Sequence, residues 1–361
     1  MFRIRLSESA MPTGSKDPDV LLAWLLDSMG LVRRKSEGMS VDDEQGALHR
    51  LMRETLLSEP LKGWDTKSLG DASGLSQTGM HHQLVKLRES GLVAAETEGR
   101  WHIHVLRGGS ISAAVDLVSV QARAILDLRL SEVAEMVTES DDRMVISSED
   151  GGGGFQIEIA EPGATVEGED RLDALMRDLG LNGERGKHND RLARQLFEEI
   201  SSSGRATTLL ALADKTGDSR SRVQRAVERM RAAGIAERVP MLDRIAQDVY
   251  AGLMRQHNAR GEEWLMTRGG LGRLDESVSK SLIAGVRKKS LNIEKVQDIL
   301  APVPLDAQRV LLNTLGGRMP YGIRISGRDG AAVKERVMRQ ADRTLRRLRT
   351  VAQRLDESLA S

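Results

Sequence analysis

Apolar residues recur at helical spacing over most of the chain, and polar breakers divide the helices from one another. Between Asp43 and Leu57 the pattern is carried by Leu48, Leu51, Met52 and Leu56, after which Pro60 and Gly63 interrupt it. Thr66 can cap a short helix bearing Leu69 and Ala72, and the turn Ser73-Gly74-Leu75 follows. Ser76 then opens a helix from Gln77 to Ser90 that Gly91 closes, with Met80, Leu84 and Leu87 on its inner face. Leu92 to Ala95 reads as a strand, Glu98-Gly99-Arg100 as a turn, and Trp101 to Val105 as a returning strand. Alternation puts Trp101, Ile103 and Val105 on one side of that strand and His102 and His104 on the other, outward side.

Outside this region the pattern predicts an amphipathic stretch from Val20 to Val32 and a long striped helix from Ile111 to Val137. It also predicts a hairpin, Met144 to Ile146 with Phe155 to Ile159, joined by the Gly151–Gly154 run, and a short helix from Leu172 to Leu179. Helical spacing resumes at Leu192, Leu196 and Ile200, and the last ninety or so residues read as helices divided by Pro302, Pro304 and Pro320.

The order helix, helix, turn, helix, hairpin between 43 and 106 is that of a winged helix-turn-helix. Part of it recurs. Gly74 to Val93 aligns without a gap on Gly217 to Ala236, so that Met80, Leu84 and Leu87 fall on Val223, Val227 and Met230, and Leu69 falls on Leu212. The second copy is richer in arginine, with Arg220, Arg222, Arg225, Arg229 and Arg231. Pro240 interrupts the segment after it, and Met241 to Met254 looks helical, so no second wing is expected. The fold expected is mainly α. It comprises an arm (1–42), a winged helix-turn-helix with its long helix (43–138), an acidic hairpin and linker (139–187), a second helix-turn-helix module (188–270) and a basic helical region (271–361).

Composition sharpens this in three respects. Of 361 residues 40% are apolar but only 2% aromatic, which suits small helical cores built from aliphatic side chains. There is no cysteine, so disulfides, thiolate metal sites and cysteine nucleophiles are excluded. The longest apolar run near the start, Val20 to Leu26, is too short to span a bilayer, and a soluble, cytoplasmic protein is expected. The net charge of zero hides an uneven distribution. From Glu132 to Glu184 there are fifteen acidic residues against three basic ones, and from Arg318 to Arg354 eleven basic against three acidic. Local field, not total charge, governs contact with a polyanion.

The run LSQTGMHHQLVKLRESGLV (Leu75 to Val93) resembles the recognition-helix segment of ArsR-type and related MarR-type winged-helix regulators, and EGRWHIHVL (Glu98 to Leu106) is similar to their wing. The likeness covers about sixty residues. It implies binding to double-stranded DNA and often a homodimer. It says nothing of a small-molecule effector, and the cysteine metal sensors of part of the ArsR family are absent here.

On this reading Gln77, Thr78, His81 and His82 reach base edges in the major groove, with Gln77 suited to adenine. Ser76 and the free amides beside it suit a phosphate oxygen, and Lys86, Arg88 and the wing residue Arg100 add phosphate contacts. In the second module Arg220, Arg222 and Arg225 are the candidates for DNA contact. His81, His82, His102 and His104 do not converge as zinc ligands would, and the glycine runs lack a P-loop's lysine and hydroxyl. No metal, cofactor or catalytic constellation is expected. The function expected is sequence-specific transcription regulation; the alternatives are an architectural DNA-binding protein and a winged-helix protein-interaction scaffold. The long helix Ile111–Val137 is either a dimer element or intramolecular core, and the basic tail Lys334–Arg354 either binds phosphate or packs against the acidic segment of its own chain.

Overall fold

The computed structural model describes residues 1–32, 44–99, 101–144, 154–164, 170–183 and 191–361. Among these the protein is mainly helical, with three small antiparallel sheets. The elements fall into two copies of one unit.

The first copy opens with β1 (Arg3–Ser7) and α1 (Pro18–Ser28), then α2 (Glu44–Leu51), which runs into a π turn at Met52–Leu56. β2 (Trp64–Asp65), α3 (Thr66–Ser73) and α4 (Gln77–Glu89) come next. β3 (Val93–Glu98), β4 (Trp101–Leu106) and the long α5 (Ile111–Glu135) complete it. β4 lies between β2 and β3, with Trp64 opposite His104 and Val93 opposite Leu106.

The second copy repeats the order with β5 (Gln156–Ala160), α6 (Arg171–Asp178), α7 (Leu192–Ser202), α8 (Leu209–Thr216), α9 (Arg220–Ala232) and β6 (Ala236–Pro240). Here the chain leaves the unit. It forms α10 (Leu242–Thr267), α11 (Glu276–Arg287), α12 (Ile293–Leu300) and α13 (Leu305–Thr314) before returning as β7 (Tyr321–Ile325) and the long α14 (Gly330–Ala360). β6 pairs with β7, Ala236 opposite Ile325, and Thr207 bridges Ile323 as Trp64 pairs with His104 in the first copy.

The sequence expectation that no hairpin follows the second helix-turn-helix is therefore overturned. Pro240 is the last residue of β6, where it ends the strand without breaking the sheet. The hairpin escaped notice because its two strands are separated by an inserted helical domain. That domain has its own core, in which Ile245, Val249, Leu253, Leu265, Leu282, Val296 and Leu311 are buried together. Its ends adjoin, since the Met241 amide donates to the Pro320 carbonyl at 2.9 Å. The packing accordingly does not follow a division at 270/271. The insertion spans 241–320, while β7 and α14 share the larger core.

Two other expectations change. Of the expected hairpin between Met144–Ile146 and Phe155–Ile159, residues 145 and 146 lie outside the described residues; β5 pairs with β1, Arg3 opposite Ala160 through Ser7 opposite Gln156. Residues 145–153, including the glycines from 151 to 153, lie outside the described residues. Nor is the N-terminal region a separate arm. Phe2, Ile4, Leu6, Leu21, Leu22 and Leu25 are buried in the larger core, and α1 packs on α14.

The copies match in detail. Gly30 and Gly180 both end a short helix with positive φ (67° and 70°), where a Cβ would meet Arg5 Cβ at 2.6 Å and Glu158 Cβ at 2.5 Å respectively. Gly108 and Gly327 also have positive φ and close on Ala113 and Ala332 at the start of the long helices. Ser110 and Asp329 cap those helices by accepting from the Ala113 and Ala332 amides.

The long helices α5 and α14 run antiparallel and make the most extensive helix contact in the molecule. Asp356 near the end of α14 accepts from the Ile111 and Ser112 amides at the start of α5, which satisfies otherwise free helix-terminal donors. At the other end Gly330 sits against Ala134. Because β1 with β5 and α5 with α14 both pair antiparallel about equivalent positions, the copies are related by an approximate two-fold axis. Of the two readings of the Ile111–Val137 helix, the intramolecular one accounts for this face: its partner is in the same chain. The basic tail is also engaged internally, but with carboxylates outside the acidic segment: Arg343 and Arg347 on Glu8, Arg349 on Asp116, and Lys334 on Asp127.

Candidate nucleic-acid interface

α4 is a short amphipathic helix whose inner face, Met80, Leu84 and Leu87, is buried against the core. Its start is fixed locally. Gly74 takes the left-handed conformation that ends α3 (φ 68°), which a side chain would strain, and Ser76 accepts from the Gly79 amide at 3.3 Å. α3 is itself held by Asp65, which accepts from the Lys67 and Ser68 amides at 2.9 and 3.0 Å and from the Ser68 hydroxyl. The Ser68 hydroxyl bond holds the Asp65 carboxyl below the usual carboxylate range.

With the inner face buried, Ser76, Gln77, Thr78, His81, His82, Lys86 and Arg88 are all exposed on α4. Beside them stands the β3–β4 hairpin, covered on its far edge by β2. The seven candidates on α4 thus share one helix with a free polar flank. Arg100, at the hairpin turn, lies outside the described residues.

The histidines divide differently from expectation. His102 is exposed, but His104 is 3% exposed and faces inward. The reason is α3, which follows β2 directly and covers the His104 end of that face, with His104 Nε2 3.5 Å from the Thr66 hydroxyl. Burial depresses the His104 pKa, and the positive charge of Arg88 pushes it the same way. Among the described residues no cluster of histidine, aspartate or glutamate could hold a metal ion.

The second copy presents the same construction. Gly217 ends α8 in the left-handed region, Thr208 caps that helix through the Ala211 amide where Asp65 caps α3, and Ser219 opens α9. Val223, Val227 and Met230 are buried, and Arg220, Arg222 and Arg225 are exposed. Arg222 is bound to Asp218, while Arg225 donates to the Ser221 carbonyl. Arg229 and Arg231 are committed elsewhere, to the Leu181 carbonyl and to Glu228.

Superposing the ungapped helices sets Gln77 against Arg220, Thr78 against Ser221, His81 against Gln224 and His82 against Arg225. Gln224 is exposed and was not singled out from the sequence, although the repeat alignment already placed it on His81. The second hairpin differs from the first at its tip. Beyond Pro240 opposite Tyr321, the chain enters the insertion instead of a tight turn, and Arg238 lies over the Tyr321 ring at 3.6 Å.

Among the described residues no helix is long and apolar enough to cross a membrane. No protein-family model matches the chain, and comparison with curated proteins and with solved structures finds no match either.

Proposed function

We propose that the protein is a sequence-specific regulator of transcription that binds double-stranded DNA through two winged helix-turn-helix modules. α4 and α9 are the recognition helices, and the reading extends the ArsR/MarR-type likeness of the first module to the second. The observation that carries it is the exposed polar flank of α4 beside a two-stranded hairpin, built again in α9 with β6 and β7. A helix of this width fits the major groove, where side chains at its N-terminal end meet base edges. Gln77, Thr78, His81 and His82 read bases; Ser76, Lys86, Arg88 and Arg100 hold phosphates; Arg220, Arg222 and Arg225 serve the second module. No catalytic step belongs to this reading.

An architectural role on any duplex is the second reading. It is favoured by the arginines of α9, whose charge suits phosphate contact without regard to sequence. Equilibrium binding of the Gln77→Ala/His81→Ala double variant separates the two. The regulator loses discrimination between its selected duplex and a scrambled one more than it loses affinity for the scrambled one. Equal losses on both duplexes favour the architectural protein, and no binding of wild type at low salt removes both.

A further inference from the structure

We infer that one chain, without a second copy, engages one duplex at a bipartite site whose two halves differ in sequence. The inference rests on the DNA-binding reading above and adds stoichiometry and site symmetry to it.

Two-fold symmetric regulators normally reach two half-sites by pairing two identical chains, which makes the site palindromic. Here the pairing is internal. α5 and α14 bury their facing sides on each other, and β1 adds to β5. The axis passes between Arg5 and Glu158, which lie directly opposite in the strand register, and between Arg123 and Asp342. A two-fold rotation carries α4 onto α9, so the two helices stand at the same height along the axis. A duplex whose own local dyad lies on that axis can meet both.

The reading residues are not the same. Gln77 and Arg220 occupy one position, and both are exposed. Among the described residues neither side chain has a hydrogen-bond or ion-pair partner, so each is available to a ligand. Glutamine pairs in two-pronged fashion with the N6 and N7 of adenine, and arginine with the O6 and N7 of guanine. Equivalent base pairs in the two half-sites should therefore be A·T under α4 and G·C under α9. The hairpin beside α9 also leads into the insertion, so the flanks differ as well.

The test selects duplexes from a random-sequence pool with the full chain, then measures mass and affinity on the recovered site. A 1:1 complex is expected, with a non-palindromic optimum. Arg220→Gln should move the preference at the second half from G·C to A·T, by about tenfold. Gln77→Arg should make the reciprocal change at the first half, which guards against misfolding of either variant. Two chains on the shortest fully bound duplex, or a palindromic optimum for wild type, would overturn the inference while leaving DNA binding intact. Leu117, Val120 and Leu128, exposed on the outer side of α5, are where a second copy would seat in that case. Failure to bind any duplex at low salt removes the inference together with the reading it rests on.

Discussion

Arg123 in α5 and Asp342 in α14 meet side chain to side chain, Nε to Oδ1 at 2.9 Å, although they occupy the same position in the two copies of the unit. Arg5 and Glu158 do the same in the central sheet, at 3.3 Å. In a symmetric pair of identical chains each of these residues would face itself, and like charges would repel. The opposite signs make the halves of this chain a matched pair that cannot exchange places.

Reversing one charge at the axis should loosen that match. Arg123→Asp sets two carboxylates against each other, and the unfolding midpoint should fall slightly, because the pair is partly exposed. The double variant Arg123→Asp/Asp342→Arg restores the attraction and should recover most of the loss. Denaturant unfolding of wild type, Arg123→Asp, Asp342→Arg and the double variant measures the coupling, and additive losses would contradict a direct interaction.

The second hairpin is tied to α14 through a buried carboxylate. Glu237 Oε1 lies 2.7 Å from Arg324 on the paired strand, and Oε2 lies 2.7 Å from Arg336 on α14. Arg324 and Glu237 side chains are 6% and 5% exposed, so removing the acid takes the paired carboxylate away from a buried guanidinium. Glu237→Ala should cost about 3–5 kcal/mol in chemical denaturation. A cost under about 1 kcal/mol, the range of exposed pairs, would show that water reaches this site.

The insertion should be removable. Its core is separate from the larger one, and Met241 and Pro320 at its ends share a hydrogen bond. Joining β6 to β7 through an Asn-Gly turn in place of residues 242–319 should leave a cooperatively folded protein, since that dipeptide favours a two-residue hairpin. Hydrogen exchange should find β6, β7 and α14 still protected. Loss of protection there would mean that the insertion holds the second unit together.

Stability should carry the signature of His104. Its folded pKa lies below the ordinary value of 6.5, chiefly through burial, so the folded state binds fewer protons than the unfolded one as the pH falls. The contribution is fully present above about pH 6.5 and is lost progressively below it, with a slope bounded by one proton. His104→Asn should flatten the decline between pH 6.5 and 5 in thermal unfolding, and an unchanged slope would contradict this account.

Much of the first unit was legible because it is contiguous. The spacing of Met80, Leu84 and Leu87, the serine at 76 and the glycine at 91 each act within a few residues, where periodicity and capping chemistry speak directly. What escaped was long-range. β2 is only two residues long, too short for alternation to register, yet by pairing with β4 it brings α3 over the face that carries His104. β1 and β5 pair across about 150 residues of chain, and β6 finds β7 past an inserted domain. The matching Phe-x-Ile of Phe2–Ile4 and Phe155–Ile157, and the shared Gly-Leu at 30–31 and 180–181, would have extended the repeat to the whole unit. On the candidate interface the sequence supplied the helix with the exposed polar flank, but not the commitments of Arg229 and Arg231 to their own chain.

Hydroxyl-radical footprinting of the full chain on its selected duplex tests the central claim most directly. Two modules on one axis predict two protected stretches on the same face of the duplex, about 10 base pairs apart from centre to centre, with Gln77→Ala weakening one and Arg220→Ala the other. A single protected stretch, unaffected by substitution in α9, would contradict the account.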